Sequence, residues 1–345
     1  MSYEDVMKEI TKGLTGEPKK DMKYLMDQCE VYKTHELAQE ILRGIGRLIA
    51  DLTPEDLRKE LEQLIKNDSL GTQAALEEAE FRIHKKEFAK ALEILEAAIK
   101  SIETEDGELR QYGNDSVSEY HAFKNYMEEI LYNELMKPKL TVRTMPENIW
   151  RLYYLCGYLY FEMQRFDDAK KYLTKAMKIN PVDTATLFEL SEIHKMNKDW
   201  ESYRKLTALC HSVSYTRTDL ARSYRNYGFY FIEREKYDVA TAIYHLSLFY
   251  EPESVSAQSE LFVIQQITGK LTPMPSMDKV KKIFKKNDVP LGPNPLILEI
   301  AVTIAGMAEK EGHDDAARYY LSMLYDLTGS DDVKKRLDAL PEEDP

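Results

Sequence analysis

The chain has 345 residues, of which 43% are hydrophobic, and a formal net charge of −13. That is enough apolar material for a large core, and 14 glycines with 13 prolines are too few for a low-complexity chain. The acidic balance argues against a phosphate-binding surface and hence against nucleic acid. The most apolar stretch, residues 296–307, is broken by Glu299 and falls short of the roughly 18 residues a membrane helix needs.

The chain opens MSYEDVMKEI, without the basic-then-apolar layout of a secretory leader. Its three cysteines, Cys29, Cys156 and Cys210, are an odd number on apolar positions, which predicts small core residues in a reducing, cytoplasmic setting. Residues 35–52 carry Leu37, Ile41, Leu42, Ile45, Leu48 and Ile49 on one helical stripe. Gly44 and Gly46 interrupt that stripe, which predicts close packing against a neighbouring helix. Thr53, Pro54, Glu55 and Asp56 then read as a helix start: a cap hydroxyl, a first-turn proline, and acids at the positive dipole end. Residues 1–70 are expected to form an amino-terminal helical cap.

Phe88, Ala91, Leu95 and Ala98 fit the second helix of a degenerate hairpin over 72–105. Residues 106–149 read as an insertion. An acidic, glycine-bearing loop at 104–115 leads to a long helix over 117–136, with Tyr120, Phe123, Tyr126, Met127, Ile130 and Leu131 on one side. Pro138 ends it, and a basic connection follows at 139–146.

The clearest pattern comes next. Residues 148–183 place Tyr153-x2-Cys156-Gly157-x2-Tyr160 ahead of Ala169-x3-Leu173, Ala176 and Pro181. Two helices are predicted, joined near Gln164–Arg165, with Gly157 and Ala169 facing each other where the helices cross. The pattern recurs as Tyr224-x2-Tyr227-Gly228-x2-Phe231, then Ala240-x3-Tyr244 and Pro252. Gly157 to Gly228, Ala169 to Ala240 and Pro181 to Pro252 are each 71 residues apart. The unit between, 184–217, keeps Leu187, Leu190, Ser191 and Trp200 but has Tyr203 where a small alanine is expected. Three units thus occupy 150–254. Beyond them, a first helix is expected over 255–268, followed by a proline-rich stretch, 272–295, around a short basic helix, 277–286. Its lysines, Lys279, Lys281, Lys282, Lys285 and Lys286, read as a solvated face. A last degenerate pair, with Ala316, Tyr320 and Met323 in place, and a closing helix over 331–340 complete residues 255–345. The final PEEDP is expected to be disordered.

This glycine, alanine and proline spacing resembles the tetratricopeptide repeat, a helix–turn–helix unit of about 34 residues. The resemblance implies an all-α, right-handed α-solenoid of stacked helical hairpins. It also implies a groove lined by the first helices. Carried onto this chain, the lining is Arg151, Tyr154, Tyr158 and Phe161 from the first clear unit, Phe188 and Lys195 from the second, and Arg222, Arg225, Asn226 and Phe229 from the third. Four cations of this surface (Arg151, Lys195, Arg222, Arg225) face four acids (Glu162, Glu189, Glu192, Glu233), which leaves the ligand's charge open. Positions that some co-chaperones of the family use to clamp a terminal carboxylate carry Tyr154, Tyr158, Glu189, Arg222 and Asn226, and only Arg222 keeps the cationic character. No nucleophile elbow, phosphate loop, paired-histidine helix or Cys-x-x-Cys is present. His194 lies near Glu189 and Glu192 at a spacing poor for sharing a metal. The expectation is a cytoplasmic, non-enzymatic adaptor that binds a protein or peptide, with no cofactor, metal, nucleic acid or membrane. The alternative is an intracellular peptide-sensing regulator of the bacterial type.

Overall fold

The computed structural model describes residues 3–33, 35, 37–52 and 69–341. The expected helix start at Thr53–Asp56 and the last four residues of the PEEDP tail lie outside them. Seventeen helices are present among the described residues, and they divide into two compact units, 1–74 and 75–345.

The first unit holds α1 (Tyr3–Lys12), α2 (Pro18–Tyr32) and α3 (Ala38–Leu52). Val6, Ile10, Leu25, Ile41 and Ile45 form its buried centre, so the apolar stripe read from the sequence is the packed face of α3. Asp21 is buried and ties the α1–α2 turn, accepting from the Thr15 and Gly16 amides at 2.7 and 2.8 Å. Those donors hold its carboxyl below the usual range. The glycine expectation holds at only one of two positions. A Cβ on Gly44 meets Met7 Sδ at 2.7 Å, whereas one on Gly46 meets nothing within 4 Å.

The second unit is an all-α solenoid of helical hairpins. They are α4 (Ser69–His84, which begins in the first unit) with α5 (Phe88–Ile102), α7 (Glu147–Glu162) with α8 (Phe166–Ile179), α9 (Thr184–Met196) with α10 (Trp200–Val213), α11 (Arg217–Ile232) with α12 (Tyr237–Tyr250), and α15 (Pro295–Glu311) with α16 (Asp314–Thr328). All five hairpins turn alike. A residue with positive φ follows the first helix (Lys86, Gln164, Lys198, Glu235, Gly312), and the next amide reaches back five residues, as Arg165 N does to Tyr160 O at 2.8 Å. This closure satisfies carbonyls that the helix end would leave unpaired. Four of the five positions carry a non-glycine residue, so glycine placement could not reveal the turn.

In the two hairpins with a glycine at the crossing, the close contact is where the sequence put it, but with a different partner. A Cβ on Gly157 meets Leu173 Cγ at 2.5 Å, and one on Gly228 meets Tyr244 Cε2 at 2.7 Å. The residue opposite the glycine is therefore one helical turn beyond Ala169 and Ala240. In the middle hairpin, Tyr203 does not disturb the fold. It is fully buried and projects onto the next unit, where its hydroxyl donates to the Asn226 carbonyl at 3.1 Å. Tyrosine hydroxyls of the seams find carboxylates: Tyr153 donates to Glu103 at 2.9 Å and Tyr172 to Glu96 at 2.9 Å.

The insertion departs from expectation. Residues 117–136 are not one helix. Ser118–His121 form β1, α6 spans only Tyr126–Met136, and β1 pairs in parallel with β2 (Thr141–Thr144), Ser118 opposite Thr141. Asn125, extended at φ −159°, caps α6 by accepting from Glu128 N at 3.1 Å and so stops the helix from reaching back. The Ala122 amide donates to the Ile179 carbonyl at 3.1 Å, fastening the insertion to the end of α8.

Beyond α12 the stack ends on a single helix, α13 (Val255–Thr268), which packs on α12 and has no second helix of its own. The short basic helix α14 (Met277–Lys286) tucks Val280 and Phe284 beside Tyr224 and Tyr250. Residues 287–294 then run back over α10 and α11, and bring α15 against α6. The closing helix α17 (Asp331–Asp338) covers α16.

Candidate functional site

The first helices α7, α9 and α11 supply the predicted lining. On α7, Trp150, Tyr154 and Tyr158 recur every fourth residue and stack along one face: Trp150 to Tyr154 at 5.1 Å between ring centroids, Tyr154 to Tyr158 at 6.5 Å. Trp150 is the buried foot of this column, its Nε1–H donating to Thr186 Oγ1 at 3.0 Å, while Tyr154 and Tyr158 are half-buried. Burial pushes both phenols up, and the neighbouring carboxylates of Glu189, Asp183 and Glu162 push the same way, so both stay protonated donors. Phe161 is half-buried and packs edge-on against Phe166 at 5.4 Å.

The α9 and α11 positions are bound to one another. Arg222 lies 4.4 Å over the Phe188 ring and 3.3 Å from Glu189 Oε1. Burial raises the Glu189 carboxyl, Arg222 opposes that, and the nearby Glu192 and Glu162 reinforce it. Lys195 pairs with Glu192 and sits 5.0 Å over the Phe229 ring. Phe229 in turn packs on Trp200 at 6.1 Å and Tyr203 at 6.2 Å. Arg151 pairs with Glu80 of α4 at 2.7 Å, and Arg225 with Glu251.

Two of the ten predicted residues do not line a surface. Phe188 is only 1% exposed, covered by the Arg222 guanidinium and packed among Tyr132, Leu187 and Cys210. Asn226 is 6% exposed, and its side-chain nitrogen is sealed without a hydrogen-bond partner. Phe188 is thus covered from the neighbouring first helix α11, which carries Arg222. Arg151, Tyr154, Tyr158, Phe161, Lys195, Arg222, Arg225 and Phe229 retain exposed or half-buried side chains. Glu260 of α13 joins the same electrostatic neighbourhood: burial raises its carboxyl, Lys195 lowers it and Glu233 raises it again. Position within a single repeat could not reveal Glu260, since it comes from the helix that ends the stack.

The insertion supplies a buried ionic cluster that sequence reading missed. Lys124 pairs with Asp183 and lies 3.8 Å from Glu128, whose carboxylate also accepts from Asn180 Nδ2 at 2.7 Å. Its members are scattered over 60 positions and share no motif. Among the described residues no group of three or more His, Cys, Asp and Glu could hold a metal ion, and His194 is engaged by Asp199 at 2.9 Å. No helix among them is long and apolar enough to cross a membrane.

The Tetratricopeptide repeat family matches residues 151–183, the α7–α8 unit. No curated protein matches the sequence. Among solved structures, BtubC (BKLC) from P. vanneervenii aligns with a TM-score of 0.39 and 14% identity, over 79% of this chain and 93% of that one. The APC/C hetero-tetramer Cut9-Hcn1 aligns with a TM-score of 0.33 and 12% identity, over 91% of this chain and 59% of that one. Likeness at that level carries no inference about partners. The matched unit stands in a row of hairpins with the same turn, so the chain carries a tetratricopeptide repeat at 151–183 within a helical solenoid, and repeats of this kind generally mediate protein interactions.

Proposed function

We propose that the face built by α7, α9 and α11 is a non-enzymatic docking surface for an extended, basic segment of a partner protein, and that the chain works as a cytoplasmic adaptor. The supporting observation is a charge asymmetry. Each of the four cations on this face is already neutralised by a carboxylate of the same chain. Among the described residues Glu233 and Glu162 are exposed and form no ion pair, and Glu162 lies near Tyr158 of the half-buried Tyr154–Tyr158 column. Lysine and arginine side chains of a partner gain there from both the carboxylates and the tyrosine faces. Cys156 and Cys210 are buried free thiols, which suits a reducing compartment.

The test is fluorescence anisotropy with a short fluorescein-labelled peptide alternating lysine and leucine. Glu162→Lys with Glu233→Lys weakens binding by about tenfold, or ~1.4 kcal/mol, and Tyr158→Ala weakens it further. The same charge change at Asp331 and Asp332 on α17 controls for net charge and leaves affinity unaltered. Equal losses in both charge variants mean that the acidic chain as a whole attracts the peptide, and the face is not the site.

A further inference from the structure

A second surface of opposite charge lies at the far end of the stack. A cavity of about 850 Å³ opens between the first turn of α12, the end of α13, the proline-bearing connection 270–275 and α14. That is in the size range of ligand-binding pockets. Five lysines line it, Lys236, Lys270, Lys279, Lys282 and Lys286, against two carboxylates, Glu235 and Asp238. On a chain of net charge −13 this concentration of cations is against the trend, and none of the five is in an ion pair with a described residue.

The arrangement follows from the amphipathic pattern of α14. Val280 and Phe284, one turn apart, are each 1% exposed and anchor the helix in the core. Lys279, Lys282 and Lys286 recur at the spacing of the other side and bring Ile283 with them to the cavity wall. Of the five lysines read from the sequence as a solvated face, these three border a concavity, whereas Lys281 and Lys285 do not. Opposite them the connection 270–275 presents Leu271, 80% exposed, and Met274, 50% exposed. Among the described residues the backbone amides of Leu271, Thr272 and Met274 make no hydrogen bond, so an extended chain laid beside them finds donors.

We propose that this cavity is a second binding site, for an acidic peptide segment carrying an apolar anchor residue. The lining selects that chemistry over other anions. No arginine borders the cavity, so the forked donors that grip phosphate in two places are missing. Tyr237 is the single aromatic residue in the lining, too little for a run of stacked bases. Lysine point charges around exposed leucine and methionine match carboxylates that flank an apolar side chain. The site shares no residue with the α7–α9–α11 face, so either assignment stands or falls without the other.

Anisotropy with a short fluorescein-labelled peptide alternating glutamate and leucine tests it. Lys279→Glu, Lys282→Glu and Lys286→Glu together change exposed side chains only, so helical circular dichroism and the melting temperature stay as in the parent protein. Acidic-peptide affinity falls by about tenfold or more and declines steeply with added salt. Met274→Asp, which leaves the lysines in place, also weakens binding. Binding of the lysine–leucine peptide is unchanged in both variants. The proposal is overturned if the triple variant binds the acidic peptide as the parent does, or if Met274→Asp has no effect. It is also overturned if inorganic tripolyphosphate or oligothymidylate binds the cavity more tightly than the acidic peptide; the site then belongs to that ligand.

Discussion

Gly157 and Gly228 show how much one absent methyl group can decide. A Cβ at Gly157 lies 2.5 Å from Leu173 Cγ and 3.1 Å from the Leu173 amide nitrogen, so the two helices would have to separate to admit it. Overpacking of this kind costs about 1–3 kcal/mol, more than the ~1 kcal/mol alanine gains over glycine inside a helix. Gly157→Ala is therefore destabilising by about 1–2 kcal/mol in urea denaturation, against the helix propensity scale. Gly46 supplies the opposite case, since it is exposed in α3 with nothing within 4 Å of a built Cβ. Gly46→Ala stabilises the first unit by about 0.5–1 kcal/mol. If both substitutions move stability the same way, the close contact at Gly157 is not what keeps glycine there.

At the scale of elements, what the sequence revealed depended on distance along the chain. The repeat hairpins were legible because Gly157, Ala169 and Pro181 act within one unit and then return 71 residues later. The basic helix 277–286 was legible from local signals alone, and α14 has those same bounds. The insertion was not. Tyr120 and Phe123 fit a helical stripe, but β1 is recruited by β2, more than 20 positions away, and parallel pairing leaves no local trace. The candidate face was legible in part. First-helix register brought Tyr154, Tyr158, Lys195 and Phe229 to half-buried positions, while the burial of Phe188 and Asn226 depends on tertiary packing. The ionic cluster that holds the insertion was least visible of all, and its weight can be measured. Burial works to discharge Lys124, but Asp183 and Glu128 outweigh it and keep the ammonium charged. Lys124→Met leaves Asp183 and Glu128 buried without their cation, and breaking such a pair from one side costs about 3–5 kcal/mol. Equilibrium unfolding in urea checks this; a loss below ~1 kcal/mol shows that the cluster is better hydrated than its burial indicates.

On the scale of the whole molecule, residues 287–294 make a linear stack into a chain that folds back on itself, and His211 is the peg that holds them. Its Nε2–H donates to the Gly292 carbonyl at 3.0 Å, its Nδ1 lies 3.0 Å from Ser223 Oγ, and its ring meets Tyr224 edge-on at 5.0 Å. Tyr224 holds the same strap, its hydroxyl accepting from Gly292 N at 2.7 Å, and Asn294 Nδ2 donates to the Ser212 carbonyl at 2.8 Å. Burial lowers the His211 pKa from 6.5 to about 4; the Gly292 carbonyl opposes that, and Arg204 adds to it. The native state thus takes up this proton later than the unfolded chain does. His211's contribution is complete above pH ~6.5 and is lost as the pH falls towards 4, a change of about 3 kcal/mol for a shift of this size. His121 of the insertion, also lowered by burial, acts in the same direction. Glu128, Glu189 and Glu260, whose carboxyls are raised by burial, act in the opposite one, because acid neutralises them in the folded state first. The raw pH profile therefore mixes signs, and the informative quantity is the difference between the parent and His211→Gln, which leaves the other groups in place. At pH 7 the variant is the less stable of the two, having lost the ring's packing against Tyr224. On going to pH 4 the gap narrows by roughly 3 kcal/mol, read as converging urea midpoints. Parallel midpoints across that range mean that His211 takes up its proton without disturbing the strap, and that the acid-sensitive element is elsewhere.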